Sequence, residues 1–437
     1  MQAPPGSSPE LTPSSAASGE PAVRMTRREL RASAALASLF AMRMLGLFLI
    51  LPVFAVHARG LPGGEDALRV GLALGIYGLT QAMLQIPFGL ASDRIGRKPV
   101  IVFGLVLFAI GSLVAAAAHD VTGTIVGRAI QGAGAISAAV TASIADHTRD
   151  SQRTKAMAMV GASIGLTFAL SLVLAPVLYR LVGMSGIFHL TGALAVAGML
   201  IVWRAVPPLP AAAARASGAS GASGASGAAR HPLRDVLRDP DLIRLNVGIF
   251  ALHLAQMAMF VVLPAWLVER GGLPLADHWK VYLPVVLASF ALMMPPITWA
   301  ERTGRLRVVF LGAIALLLLV QLGFAAQPVA VTAFAVLLLA FFAGFNVLEA
   351  SLPSLVSRLA PADAKGAALG VYNTTQALGL FAGGAMGGWV LRRWDATAVF
   401  LMCAAVMLAW LLVAWGARRW PASGLGRAAG RPRGALE

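Results

Sequence analysis

Residues 87–104 read PFGLASDRIGRKPVIVFG, and residues 295–312, at a constant offset of 208, read PPITWAERTGRLRVVFLG. Pro87, Arg94, Gly96, Arg97, Val100 and Gly104 meet the same residue types in the second stretch, and Asp93 meets Glu301. Each stretch is a short charged turn between two apolar runs. Two copies of one multi-helix unit, fused in the same orientation, would put these turns at equivalent places.

Outward from these turns, apolar runs of roughly 20 residues, the length that crosses a bilayer core, recur along almost the whole chain. They fall at 34–56, 68–90, 99–118, 122–144, 156–179 and 185–204, and again at 242–267, 280–300, 307–326, 329–351, 366–391 and 396–416. The expected fold is an all-α integral membrane protein with twelve transmembrane helices in two pseudo-symmetric six-helix bundles. One bundle covers 31–205 and the other 241–417. Composition agrees: 58% of the 437 residues are hydrophobic and 12% are charged, against about a quarter charged in a soluble domain. The run at 34–56 is longer than a signal-peptide core and further spans follow it, so it reads as the first helix.

The net charge of +16 has a topological use. With a cytoplasmic N-terminus, Arg27, Arg28, Arg94, Arg97, Lys98, Arg149, Arg153, Arg234, Arg302, Arg305, Arg418 and Arg419 all lie on the cytoplasmic side. This is the bias that orients membrane proteins, and it accounts for the basic charge without nucleic acid. An even span count returns the C-terminus to the same side. Residues 1–30 read as a disordered cytoplasmic tail, 206–240 as a cytoplasmic linker containing AAAARASGASGASGASGAA at 211–229, and 418–437 as a basic tail. Such small-residue stretches cannot build a core.

Charge inside a bilayer is costly and usually functional. Within the predicted spans Glu349, toward the cytoplasmic end of the tenth, is the one acidic residue, and Arg43 and Arg128 are the basic residues well inside them. Both arginines are expected to line a cavity of the first bundle, together with Gln131; a structural arginine packed on neighbouring helices is the plainer reading. Glu349 and His253 are the candidates for proton coupling. For Glu349 the simpler reading is snorkelling or pairing with Arg358, and for His253 a neutral ring bonded to a backbone carbonyl. Gln81, Gln85, Gln256, Asn346, Tyr372, Asn373 and Gln376 are sparse polar groups that could meet a solute. A mostly apolar cavity with few polar anchors suits an amphiphilic solute better than a sugar.

Glycines at four-residue steps, Gly379, Gly383 and Gly387 and likewise Gly161 and Gly165, mark expected close helix packing. No phosphate-binding loop, metal-ligand cluster or nucleophile–base pair stands out, so no enzymatic activity and no cofactor are expected. The single cysteine, Cys403, allows no intrachain disulfide.

The segment GLASDRIGRK, with Gly89, Asp93, Arg94, Gly96, Arg97 and Lys98, resembles the signature loop of the major facilitator superfamily. Leu45, Gly46, Pro52 and Val53, and the run GRAIQGAGA from Gly127 to Ala135, resemble motifs of its twelve-span drug:proton antiporter branch. Span five departs from that branch, with Ala175, Pro176, Val177 and Leu178 where a glycine–proline pair and paired glycines are the pattern. RMLGLFLILP at 43–52, GIYGLTQAMLQIPFGLASDRIGRKP at 75–99 and RTKAMA at 153–158 are similar to the YajR group of inner-membrane transporters. The resemblance implies a multi-pass, monomeric transporter of the bacterial inner membrane that moves a small solute by alternating access, with protons as coupling partner, lipid as surroundings and the proton motive force as energy source. It gives Asp93 a conformational role: pairing with arginine and with the positive N-terminal end of a neighbouring helix, it latches the cytoplasmic side. Uptake, facilitated diffusion and a non-transporting sensor are the competing readings.

Overall fold

The computed structural model describes residues 25–206, 232–328, 330–361, 364–416 and 420. The expectations for 1–24, for the small-residue stretch at 211–229 and for the C-terminal tail other than Trp420 lie outside the described residues.

Helices account for nearly all of what is described. The first set comprises α1 (Arg27–Phe48), α2 (Leu51–His57), α3 (Ala67–Ile95), α4 (Arg97–Ala116), α5 (Val121–Ala133), α6 (Ser137–His147) and α7 (Asp150–Ala205). After a short α8 (Pro232–Arg238), the second set comprises α9 (Pro240–Glu269), α10 (Trp279–Thr303), α11 (Leu306–Ala325), α12 (Val331–Leu359), α13 (Lys365–Arg393) and α14 (Ala396–Trp415).

The starts of these helices explain several acidic residues. Asp66, Asp120, Asp239 and Asp395 are the N-caps of α3, α5, α9 and α14, each accepting from a backbone N–H of the first turn. Thr26 and Glu29 form a reciprocal capping box, with the Glu29 N–H donating to Thr26 Oγ1 at 3.2 Å and the Thr26 N–H to the Glu29 carboxylate at 2.7 Å. Helix α1 therefore begins at Arg27, inside the stretch expected to be a disordered tail. Glu29 also accepts from the Arg149 side chain at 2.8 Å, tying α1 to the α6–α7 turn.

Two expected spans are broken helices. The first is interrupted at Leu49 and Ile50, just before Pro52, whose ring nitrogen has no proton to donate. The fourth is interrupted at Gly134, where the chain passes so close to α4 that a Cβ would lie 2.3 Å from the Gly104 carbonyl oxygen. Conversely, two expected spans are continuous in α7 except at Gly183, which leaves the helical region at φ 67°, ψ −174°. Among the described residues, ten segments are long and apolar enough to cross a membrane, one of them being the 51 residues of Lys155–Ala205 that contain Gly183. Helix α13 has the length, 29 residues, but its glycines and the run Asn373–Gln376 lower its hydropathy.

The repeated turns share a glycine at positive φ, although ψ differs, 155° at Gly96 and 12° at Gly304. Gly96 between α3 and α4 has φ 97°, and Gly304 between α10 and α11 has φ 72°. Only glycine takes such angles without strain.

Glycines govern the packing of α13 on two of its faces. A Cβ on Gly379, Gly383 or Gly387 would meet α9 backbone at Phe250, Leu254 and Ala258 at 2.6, 2.3 and 2.9 Å, as the four-residue spacing predicts. The other face meets α3, in the first set: a Cβ on Gly384 or Gly388 would lie 2.4 Å from the carbonyl oxygens of Gly71 and Ala67. The pair Gly161 and Gly165 overturns its expectation, since nothing lies within 4 Å of a Cβ at either position. The spacing is the same, but no helix faces it at that end.

At the C-terminal end, Trp420 packs against Phe310 with ring centroids 5.5 Å apart, so this residue of the basic tail belongs to the folded body. Gly383→Ala places a methyl against α9 backbone that cannot withdraw. It is expected to destabilise the purified protein by about 1–3 kcal/mol, read as a lowered Tm in detergent, whereas Gly366→Ala, with open space around it, leaves the Tm unchanged.

Candidate transport site

Helix α3 presents Tyr77, Gln81 and Gln85 at four-residue steps, hence on one face. The Arg43 guanidinium, from α1, donates to Gln81 Oε1 at 2.9 Å and to Ser137 Oγ at 2.7 Å, and lies 5.5 Å from the Tyr77 ring centre. The Arg128 guanidinium, from α5, lies 4.9 Å from the same ring and donates to Gln131 Oε1 at 2.9 Å. Gln131 donates onward to Ser112 Oγ at 2.7 Å, and Thr191 donates to the same oxygen at 3.1 Å. One tyrosine ring thus carries two cations, an arrangement in which the negative face of the ring offsets part of their burial.

Arg43 and Arg128 are 2% and 0% exposed, yet among the described residues no carboxylate comes within ion-pair distance of either. Arg43, Arg128 and Gln131, each expected at a cavity of the first bundle, are brought into one buried cluster around Tyr77. Tyr77, Ser112, Ser137 and Thr191 are members that sequence reasoning missed. The signal for Tyr77 was available in its spacing from Gln81 and Gln85.

The second set carries a different cluster. His253 on α9 lies with Nδ1 3.2 Å from the Ile249 carbonyl and Nε2 2.8 Å from the Gln376 side-chain nitrogen of α13. The amide nitrogen can only donate, so Nε2 accepts and the proton sits on Nδ1, donated to Ile249. Gln376 gives its other amide proton to Glu349 Oε1, on α12, at 3.3 Å. The Glu349 carboxylate also stands 3.8 Å from His253 Nε2, and its side chain is 29% exposed. Glu349 therefore does not reach for Arg358; the simpler reading is overturned because Gln376 and His253 are the neighbours its helix turn presents. The His253–carbonyl bond is present, and Gln376 bridges the same ring to the Glu349 carboxylate.

Among the other expected lining residues, Asn346 donates to Ser289 Oγ at 3.1 Å, bridging α12 to α10. The Tyr372 hydroxyl and Gln256 Oε1 are buried with no protein partner, while Asn373 is partly exposed on α13.

The signature loop forms its own network. Arg97 bonds Asp146 on α6 at 3.0 Å and Ser92 at 2.8 Å, and also pairs with Asp93, which is 56% exposed. Lys98 donates to the Val206 carbonyl at the end of α7. Gly89 stands beside Ala138, whose Cβ would be 3.5 Å from a Cβ added there, and Arg94 is exposed. The repeat's counterpart of Arg97, Arg305, stacks on Trp299 instead.

The two sets of helices join at the end remote from this loop. Ala67, Gly71, Gly75 and Gly78 of α3 run antiparallel along Gly388, Gly384, Phe381 and Ala377 of α13 at backbone contact. Beside them Arg59 pairs with Glu269, and Arg392 donates to Asp66 at 3.2 Å. Between the two levels, Phe168 of α7 stacks on Phe345 and meets Phe260 and Phe342 of the second set edge-to-face. Near the loop end, by contrast, nothing comes within 4 Å of a Cβ at Gly161, Gly165, Gly366 or Gly370.

An apolar helical bundle whose buried ionisable side chains are divided between two sets of helices, joined at one end, belongs to the class of membrane transporters. The chain is a member of the Major Facilitator Superfamily: the family's profile matches residues 31–384 and 279–435. It is 43% identical over 391 residues to the Inner membrane transport protein YajR of Escherichia coli (strain K12), covering 90% of this chain and 84% of that protein. It is 26% identical over 360 residues to the Multidrug resistance protein MdtH of Cronobacter sakazakii (strain ATCC BAA-894), covering 79% and 83% of the two chains. Among solved structures, a bacterial homologue of the human lysosomal transporter Spinster, in an inward-facing and occupied conformation, superposes with TM-score 0.70 at 10% identity, covering 90% and 97%. That likeness carries the fold. The chain is thus a secondary transporter, not an enzyme, and among the described residues no group of His, Cys, Asp and Glu is placed to hold a metal.

Removing the tyrosine ring separates platform from hydroxyl. Tyr77→Ala is expected to lower stability by about 3 kcal/mol or more, through the lost packing and the lost support of two cations. Tyr77→Phe, which keeps the ring, is expected to stay within about 1 kcal/mol of the parent protein, both measured by denaturant or thermal unfolding in detergent.

Proposed function

We propose that the chain crosses the bacterial inner membrane twelve times, as two pseudo-symmetric six-helix bundles with both termini cytoplasmic, and exports a small amphiphilic solute in exchange for protons by alternating access. The closure of the two helix sets at one end only, with polar clusters on both sets beyond it, is the observation that carries this reading. Gly183 turns α7 into spans five and six, and α13 supplies the eleventh. The signature loop, with its arginines and lysine, lies on the cytoplasmic side by the charge bias.

In this arrangement the solute enters from the cytoplasm between the two sets. Glu349 and His253, hydrogen-bonded through Gln376, are the groups that exchange a proton with it: a carboxylate that is partly reachable, and a ring whose Nε2 is already an acceptor. Asp93 is released in the state described, pairing only within the signature loop's own network. On reversal it returns to the positive end of a neighbouring helix and latches the cytoplasmic side shut. The similarity to a multidrug resistance protein supports export, while the span-five residues Ala175 to Leu178 leave uptake as the rival direction.

The test is solute flux in proteoliposomes with a pH-sensitive dye in the lumen, using a panel of amphiphilic acids, bases and neutral compounds. Solute-dependent proton movement that Glu349→Gln abolishes, and that Asp93→Asn slows several-fold without loss of membrane insertion, is the expected result. Solute flux with no proton movement would replace the reading with facilitated diffusion, and binding without flux would replace it with a sensor.

A further inference from the structure

The first-set cluster holds two cations and, among the described residues, no anion within ion-pair distance. Arg43 and Arg128 place two positive charges around one buried ring, with neutral partners only: Gln81, Ser137, Gln131 and Tyr77. Their hydrogen-bonding capacity is not used up. Arg43 Nε, Arg128 Nε, Arg128 Nη2, the Tyr77 hydroxyl and both amide atoms of Gln85 are buried with no protein partner. Gln85 itself is 2% exposed and lies one turn beyond Gln81, on the same face of α3. Glu349, the acidic residue within the predicted spans, is on the other set and is engaged by Gln376.

Burying one guanidinium without a counter-charge is expensive, and burying two beside each other more so, because each raises the cost of the other. A cationic solute would add a third positive charge. A neutral one could accept from the unused N–H groups but would leave the net charge uncompensated. An anion answers both: a carboxylate accepts in-plane from a guanidinium through two oxygens, and an aromatic body suits a site already built around the Tyr77 ring, with Phe108 packed on it at 6.4 Å.

We propose that the solute is an amphiphilic organic anion, an aromatic carboxylate in chemical class, whose acid group is held between Arg43 and Arg128 with Gln85 and the Tyr77 hydroxyl as further donors. The assignment rests on the transporter reading for its biological sense, but binding is measured without flux. Glu349 and His253, on the facing set, then act on protons while the arginines act on the solute, so the two functions sit on different bundles.

The experiment uses three near-isosteric series on the purified full chain: benzoate and 2-naphthoate, their neutral amides, and their cationic amidinium analogues. Affinity is read by concentration-dependent thermal shift and by isothermal titration. The carboxylates are expected to bind at least tenfold tighter than the amides, with no binding of the amidinium compounds. Arg43→Gln and Arg128→Gln should each weaken carboxylate binding by roughly 10–100-fold, the range for losing one charge-assisted hydrogen bond to a buried group, and weaken amide binding by a smaller factor. Should either neutral variant fail to fold, Arg43→Lys and Arg128→Lys keep the charge and lose the planar fork, and are expected to weaken carboxylate binding by a smaller factor. Equal binding of acid and amide, preference for the amidinium, or no carboxylate binding overturns the proposal. Carboxylate binding with no flux in proteoliposomes keeps the anion site and sinks the transport reading; amidinium flux with no carboxylate binding does the reverse.

Discussion

The backbone contact between α3 and α13 is the constraint on which the rest of the structure depends. Four positions on α3 meet four on α13 so closely that a single methyl at Gly71 would lie 2.1 Å from a carbonyl oxygen. Lipid tails are as apolar as leucine, so helices in a bilayer are held by close van der Waals approach more than by exclusion of water. Glycine is what permits that approach. The same contact joins the two helix sets at one end, and by doing so it leaves the other end apart. The ion pairs Arg59–Glu269 and Asp66–Arg392 flank it, but both are exposed, and pairs of that kind contribute little.

Helix α13 shows why part of the fold was legible and part was not. Its step of Gly379, Gly383 and Gly387 could be read directly as a packing face, and α9 occupies it. Its second face, Gly384 and Gly388, was hidden because the pattern overlaps the first by one residue, and periodicity alone does not say that a helix is gripped on two sides. Gly161 and Gly165 show the opposite failure: a packing spacing with no partner, since spacing records the possibility of contact and the arrangement of other helices decides it. The breaks at Ile50 and Gly134 follow the same logic. Pro52 marks one, whereas Pro87, Pro176 and Pro264 lie in helices that run on.

Intramembrane charge was the more reliable guide to the site. Arg43, Arg128, His253 and Glu349 are all interior and all engaged with polar partners, because an ionisable side chain in a bilayer must find one. What could not be read was the choice of partner. Glu349 and Gln376 are 27 residues apart and His253 and Gln376 are 123 apart, so only the tertiary arrangement brings them together. Tyr77 was missed for a related reason: an aromatic among apolar residues reads as core, and becomes a platform only once two guanidiniums are known to sit on it.

If this closure is one of two alternatives, the distances between the helix sets at the two ends must change as the protein passes from one to the other. With Cys403 replaced by serine, spin labels on Glu65 and Arg393 report the joined end, and labels on Arg94 and Lys365 report the signature-loop end, all four positions being exposed. Double electron–electron resonance in proteoliposomes, with and without a proton gradient, is expected to show the two distances changing in opposite directions, one lengthening as the other shortens. Distances that stay fixed at both ends, or that change together, would contradict the account.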